Sequence, residues 1–212
     1  MKRWALVLAG AIAAAGSAAC RSSPPTLGDP PPTLENGEAE RSYQQLLERY
    51  TGRAEVYSGF DTQLFAGATY QAWPFREARV KRLAGFQRMS PEEVEARLKA
   101  ERADWEKFHV FELGAWTQDY QFDDFDQKDS VWRIALVAES VELLPAEVVR
   151  QGRVDQNVRA LYPYMGLFWV QYRVAFPRQG PNGSALIPEG TKQLMLRLAS
   201  TLGRADLRTA GE

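Results

Sequence analysis

The chain has 212 residues, 45% of them hydrophobic and 11% aromatic, which suits one folded domain with a sizeable core and excludes a disordered polymer. Its 26 Lys and Arg oppose 27 Asp and Glu, a net charge of -1 that lacks the basic excess nucleic acid demands. A single cysteine, Cys20, excludes an internal disulfide and any multi-cysteine metal site, so the core alone must hold the fold.

The first twenty residues divide into three parts. Lys2 and Arg3 are charged, Trp4 to Ala15 is an apolar run, and Gly16, Ser17, Ala18 and Ala19 are small residues leading to Cys20. The run is too short for a membrane span, which needs about 20 residues. It has the length of a signal-peptide core. Ser17-Ala18-Ala19-Cys20 resembles the lipobox of the bacterial lipoprotein class, with Ser17 where an aliphatic residue is common. The resemblance implies a signal peptide over residues 1–19, a diacylglyceryl group on Cys20 and cleavage just before it. Two or three acyl chains hold firmly, because each buried methylene contributes about 0.8 kcal/mol. The implied partner is therefore a membrane, reached through the lipid on Cys20. Arg21 stands where this class carries Asp for inner-membrane retention, so the outer membrane is the expected location. Loss of Lys2 and Arg3 leaves a weakly acidic mature chain.

Residues 20–40 read as the lipid-attachment cysteine and a disordered linker rich in Pro, Gly, Ser and acid. Prolines at 24, 25, 30, 31 and 32 bias it toward polyproline II, so twenty residues reach roughly 60 Å. A single globular domain is expected over residues 41–212.

Within the domain, Ser42 to Tyr50 patterns as a short amphipathic helix with Tyr43, Leu46, Leu47 and Tyr50 on one face. Residues 53–59 and 62–73 read as strands around a turn at Gly59 to Asp61. Ser90-Pro91-Glu92-Glu93 is an N-cap with proline at the first helical position and a capping box, opening a helix to about Lys107. Val94, Leu98, Trp105 and Phe108 form its apolar stripe. Further strands are expected at 108–116, 130–139, 167–176 and 192–199, and a short helix at 155–162. In 167–176, Phe168, Val170, Tyr172, Val174 and Phe176 share one face and Pro177 ends the run. Asn182-Gly183 marks a turn. Alternation of this kind favours an antiparallel sheet. The chain reads as mainly β: an antiparallel β-sandwich or barrel-like sheet with helical insertions. The alternative is α+β, with a helix packed on a single antiparallel sheet.

Chemistry is sparse. His109 is the sole histidine and could serve as a base, but no Gly-x-Ser-x-Gly elbow accompanies it. No nucleotide motif occurs. Asp119, Asp123, Asp124, Asp126 and Asp129 crowd one segment, where Lys128 and the missing glycine break an EF-hand pattern. A solvated loop is preferred there to a calcium site, with Phe122 and Phe125 folding back onto a sheet. No catalytic residue, metal or cofactor is expected. Trp169, opposite the apolar face of 167–176, is the candidate contact surface. The expected role is a lipid-anchored cell-envelope protein with a non-enzymatic structural or interaction function and an envelope protein as partner. The alternative is an envelope lipoprotein that binds a lipid or other apolar ligand in a cavity lined by Phe168, Val170 and Tyr172. A hydrolase drawing acids from residues 119–129 ranks third.

Overall fold

The computed structural model describes residues 37–212; Cys20 and the lipobox-like segment lie outside them. The first element is helix α1, Gly37–Tyr50, whose apolar positions Tyr43, Leu47 and Tyr50 are buried. It starts inside the segment expected to be linker. The reason is Glu40, which is buried and ion-paired with Arg82.

Strands β1 (Thr51–Ser58) and β2 (Asp61–Tyr70) form a hairpin joined by Gly59 and Phe60. Helices α2 (Trp73–Gln87) and α3 (Pro91–Trp105) follow, and then strand β3 (Phe108–Thr117). After a 3-10 turn at Tyr120–Phe122 come β4 (Arg133–Ala138), β5 (Val141–Leu143) and β6 (Glu147–Arg153). Helix α4 (Gln156–Leu161) leads to β7 (Val170–Pro177), β8 (Gln193–Ser200) and β9 (Gly203–Ala210).

These strands make two antiparallel sheets, ordered β1-β2-β3-β7-β6 and β5-β4-β8-β9. The fold is mainly β with helical insertions and is not a closed barrel. The sheets share one core. Leu64, Ala66, Ala68 and Tyr70 of β2 join Phe111 and Leu113 of β3 and Tyr172, Val174 and Phe176 of β7. The second sheet supplies Ile134, Leu136, Leu194, Leu196, Leu198 and Leu207. Alternate residues point to one face of a strand, so these period-two runs set the inner surface. At one side β1 passes very close to β9: a Cβ on Gly52 would lie 2.6 Å from the Arg208 nitrogen. Only glycine fits that approach.

Helical segments cover part of the outer face of the five-stranded sheet. Tyr164 lies over Gly67, and its hydroxyl is 2.9 Å from Thr69 Oγ1. Phe75 of α2 packs against Tyr43 and Tyr162. Helix α3 attaches differently. Its capping box forms as expected, with Ser90 accepting from Glu93 N and Glu93 accepting from Ser90 N. However, none of its residues is fully buried, so Val94 and Leu98 are not a core stripe. Ion pairs pin the helix instead. Arg76 reaches Glu101 at 2.7 Å and Asp104 at 2.8 Å, and Arg173 reaches Asp104 at 2.6 Å.

Several boundaries differ from the sequence reading. The run 62–73 stops as a strand at Tyr70, because Trp73 and Pro74 open α2. The strand expected at 167–176 begins at Val170. Phe168, expected on the core face, is 77% exposed, whereas Trp169, expected on an open face, is only 7% exposed. The cause is a turn in which Trp169 N donates to Gly166 O at 3.1 Å. It lays the indole over Gly114, where a Cβ would come within 3.0 Å of the ring. Trp169 is therefore packing, and it offers no open contact surface. Val170, Tyr172, Val174 and Phe176 are buried on the core face as expected.

Candidate functional site at the His109 end of the sheet

The C-terminal end of β2, the N-terminal end of β3 and the residue after β7 meet at one end of the five-stranded sheet. Pairing of Tyr70 with Phe111 and of His109 with Phe176 brings Tyr70 and His109 together, and Pro177 pairs with Phe108. Arg178 is fixed there because its backbone nitrogen donates to Lys107 O at 3.0 Å. Glu212 arrives from β9, held by a 2.8 Å hydrogen bond from Gly211 N to Lys192 O.

The four side chains form one network. Tyr70 Oη lies 2.8 Å from His109 Nδ1 and donates to Glu212 Oε1 at 2.9 Å. Arg178 grips the same carboxylate with both terminal nitrogens, at 2.9 and 2.8 Å, and donates to Tyr70 Oη at 3.3 Å. Trp105 Nε1 donates to Glu212 Oε1 at 2.6 Å, and the Arg178 guanidinium stacks 4.3 Å from the centre of its ring. A bidentate Arg–carboxylate pair of this kind is both strong and geometrically specific.

Hydrogen counting assigns the histidine tautomer. Tyr70 has one hydroxyl hydrogen, and an ionised Glu212 can only accept. That hydrogen therefore goes to Glu212, so Nδ1–H of His109 donates to Tyr70 and the lone pair sits on Nε2. Burial drives the His109 pKa down to about 4, with the Arg178 charge adding to the shift and Glu212 opposing it. For Glu212, burial acts to raise the pKa, but the bonds and charge of Arg178 outweigh it and hold the carboxyl below its ordinary range. Burial above all raises the Tyr70 phenol, with the Glu212 charge next. At neutral pH the end of the sheet thus holds a neutral imidazole, a neutral phenol and a neutralised Arg–Glu pair.

A cleft of about 340 Å³ opens on this cluster, walled by Ala185, Ile187, Leu194 and Glu106. Its volume is at the small end of ligand sites. His109 lines it, and the carboxylates of Glu106 and Glu189 share the same wall. Thr191 is the hydroxyl residue nearest in kind to a nucleophile, but it donates to Pro188 O at 2.7 Å.

A second polar space, about 490 Å³, lies beneath α3 and includes Arg79, Glu112, Gln171 and Arg173. Glu112 accepts from Gln171 at 2.8 Å, and burial raises its pKa against the pull of Arg79. Its charges close on one another and hold α3 to the sheet.

The acidic segment behaves as a folded loop. Asp119 caps the 3-10 turn through Gln121 N, Asp123 pairs with Arg150 at 3.0 Å, and Asp124 accepts from Ser130 at 2.8 Å. Phe125 is buried, stacked 5.6 Å from Trp132, while Phe122 is half-buried. Among the described residues no group of three or more His, Cys, Asp or Glu is placed to hold a metal ion.

The sequence singled out His109 but not its partners. Tyr70, Arg178 and Glu212 are up to 142 positions apart, so no spacing signal links them. No family model, curated protein or solved structure matches the chain.

Proposed function

We propose that this is a lipid-anchored cell-envelope protein with a non-enzymatic binding or interaction role, its domain tethered to the outer membrane through Cys20. The observation that carries the reading is the placement of the chain's single cysteine directly after Ser17-Ala18-Ala19, behind a charged start and a short apolar run. The His109 end suits binding better than catalysis. Its Arg and Glu neutralise each other, its histidine is a weak base, and its hydrogen bonds close internally. What the cleft offers a partner is the neutral imidazole of His109 in one lining with the apolar Ile187 and Leu194. A neutral hydrogen-bond donor with an adjoining apolar group, such as a peptide amide or a hydroxyl beside a hydrocarbon, complements it.

An apolar ligand between the sheets has less support. Val170 and Tyr172 belong to a core filled by Phe111, Phe176 and Leu196, and Phe168 faces outward.

The test is fractionation of cells carrying Cys20→Ala. The protein is expected to leave the membrane fraction or to accumulate as an uncleaved precursor. A processed variant that stays with membranes as firmly as the parent overturns the anchor.

A further inference from the structure

The opposite end of the five-stranded sheet has the contrary chemistry. Phe60, at the tip of the β1–β2 hairpin, is fully exposed. Tyr57 lies edge-on to Phe65 at 6.3 Å, and Phe65 lies 5.4 Å from Trp116. A shallow depression beside Trp116 continues the rim to Tyr120 and Phe168, both mostly exposed. Six aromatic rings thus gather where β2 begins and β3 ends. Four of them, Tyr57, Phe60, Tyr120 and Phe168, are exposed, and clustered exposed rings mark a surface that meets a partner or a membrane.

We propose that this aromatic end docks on the surface of the bilayer that holds the Cys20 lipid; the inference rests on the anchored reading above. Three observations favour a bilayer over a protein groove. The first is reach. Sixteen residues lie between Cys20 and the start of α1, enough to span about 55 Å. A domain of this size is about 40 Å across, so any of its faces can meet the membrane. The second is shape. Phe60 projects from a two-residue hairpin loop as a convex tip, which a deformable surface accepts more readily than a preformed pocket does. The third is composition. Tyr and Trp rings favour the headgroup level, where one edge is wet and the other apolar. Charges around the rim nearly balance: Arg53 and Arg153 face Glu55, Asp61 and Asp119, all exposed. Docking therefore depends on ring burial and needs no anionic lipid. The tether holds the end near the surface at high effective concentration, so weak intrinsic affinity suffices. His109 and Trp116 are seven residues apart on β3, about 24 Å. Docking at Trp116 turns the His109 cleft away from the membrane.

The test places an environment-sensitive fluorophore on Ser58→Cys, an exposed site beside the tip, in the lipidated full chain. With the Cys20 sulfur held in the diacylglyceryl thioether, it is the sole free thiol. In vesicles of phosphatidylethanolamine and phosphatidylglycerol the emission should shift blue and be quenched by a lipid-borne quencher. A label on Glu189→Cys, exposed at the cleft, should do neither. Adding Phe60→Ser and Phe168→Ser should abolish the shift while the protein still floats with the vesicles. The unlipidated full chain with Cys20→Ser should show the same shift at high lipid concentration, weakened about tenfold by Phe60→Ser. Failure of the lipidated sample to float rejects the anchor. A floating protein whose Ser58→Cys label stays in water rejects the docking, as does a label shielded only by added envelope proteins.

Discussion

The two ends of one five-stranded sheet are built on opposite rules. At the His109 end, Tyr70, His109, Arg178 and Glu212 bond within one cluster, and four donors converge on the Glu212 carboxylate. At the hairpin end, Phe60, Tyr57, Tyr120 and Phe168 are exposed rings, with Phe65 and Trp116 half-buried between them and the core. Strong hydrogen bonds fix geometry and are costly to leave unmade when buried. Exposed rings cost the isolated fold little and gain by contact with something apolar. The first end should therefore respond to pH and to the loss of single hydrogen bonds, and the exposed rings of the second to contact with an apolar surface.

The largest effect expected breaks that comparison inside a single dipeptide. Trp169→Ala should cost about 3–5 kcal/mol, because the indole fills the space over Gly114. Its neighbour Phe168→Ala should change stability by less than about 0.5 kcal/mol. Denaturant unfolding of both variants decides the matter, and equal effects would mean that the turn at Gly166 is misplaced.

Next is pH. The His109 pKa is lowered to about 4 from 6.5 in the ordinary state. The neutral form is thus favoured by folding, and the unfolded chain takes up the proton first. The associated stability is fully present above pH 6.5 and is lost as pH falls toward 4, on the order of 3 kcal/mol in all. Glu212, held below its ordinary 4.5, adds a further loss only below that pH. Unfolding measured from pH 7.5 to 4 should show this slope, and His109→Gln should flatten it above pH 4.5. A parent protein equally stable at pH 7 and 5 would mean that the imidazole is solvated.

A smaller effect is expected from Tyr70→Phe. It removes the hydroxyl that joins His109 to Glu212 and leaves the buried Nδ1–H of His109 short of a partner, at about 1–3 kcal/mol. The matched change at the other end, Phe60→Ser, should leave the unfolding midpoint within about 0.5 kcal/mol of the parent.

Much of the sheet framework was readable, and the reasons are local. The period-two run from Val170 to Phe176 and the Ser90 capping box carry their signal in adjacent residues. Helix α2 escaped because its inner face contains Arg76 and Arg82, which break the apolar stripe and are buried only by virtue of distant acids. Strand β9 escaped because its inward residues, Ala205, Leu207 and Thr209, include only one large apolar side chain. Trp169 misled because strand periodicity was extended through a turn. At the candidate site, His109 was conspicuous as the sole histidine. Its tautomer and neutrality depend on Tyr70, Arg178 and Glu212, which only the folded chain brings near.

The proposed anchor at Cys20 underlies the docking of the hairpin end, and mass spectrometry of the mature protein taken from membranes tests it most directly. The account predicts an N-terminal peptide beginning at Cys20 and carrying a diacylglyceryl thioether. An unmodified Cys20 in mature, membrane-bound protein would contradict it.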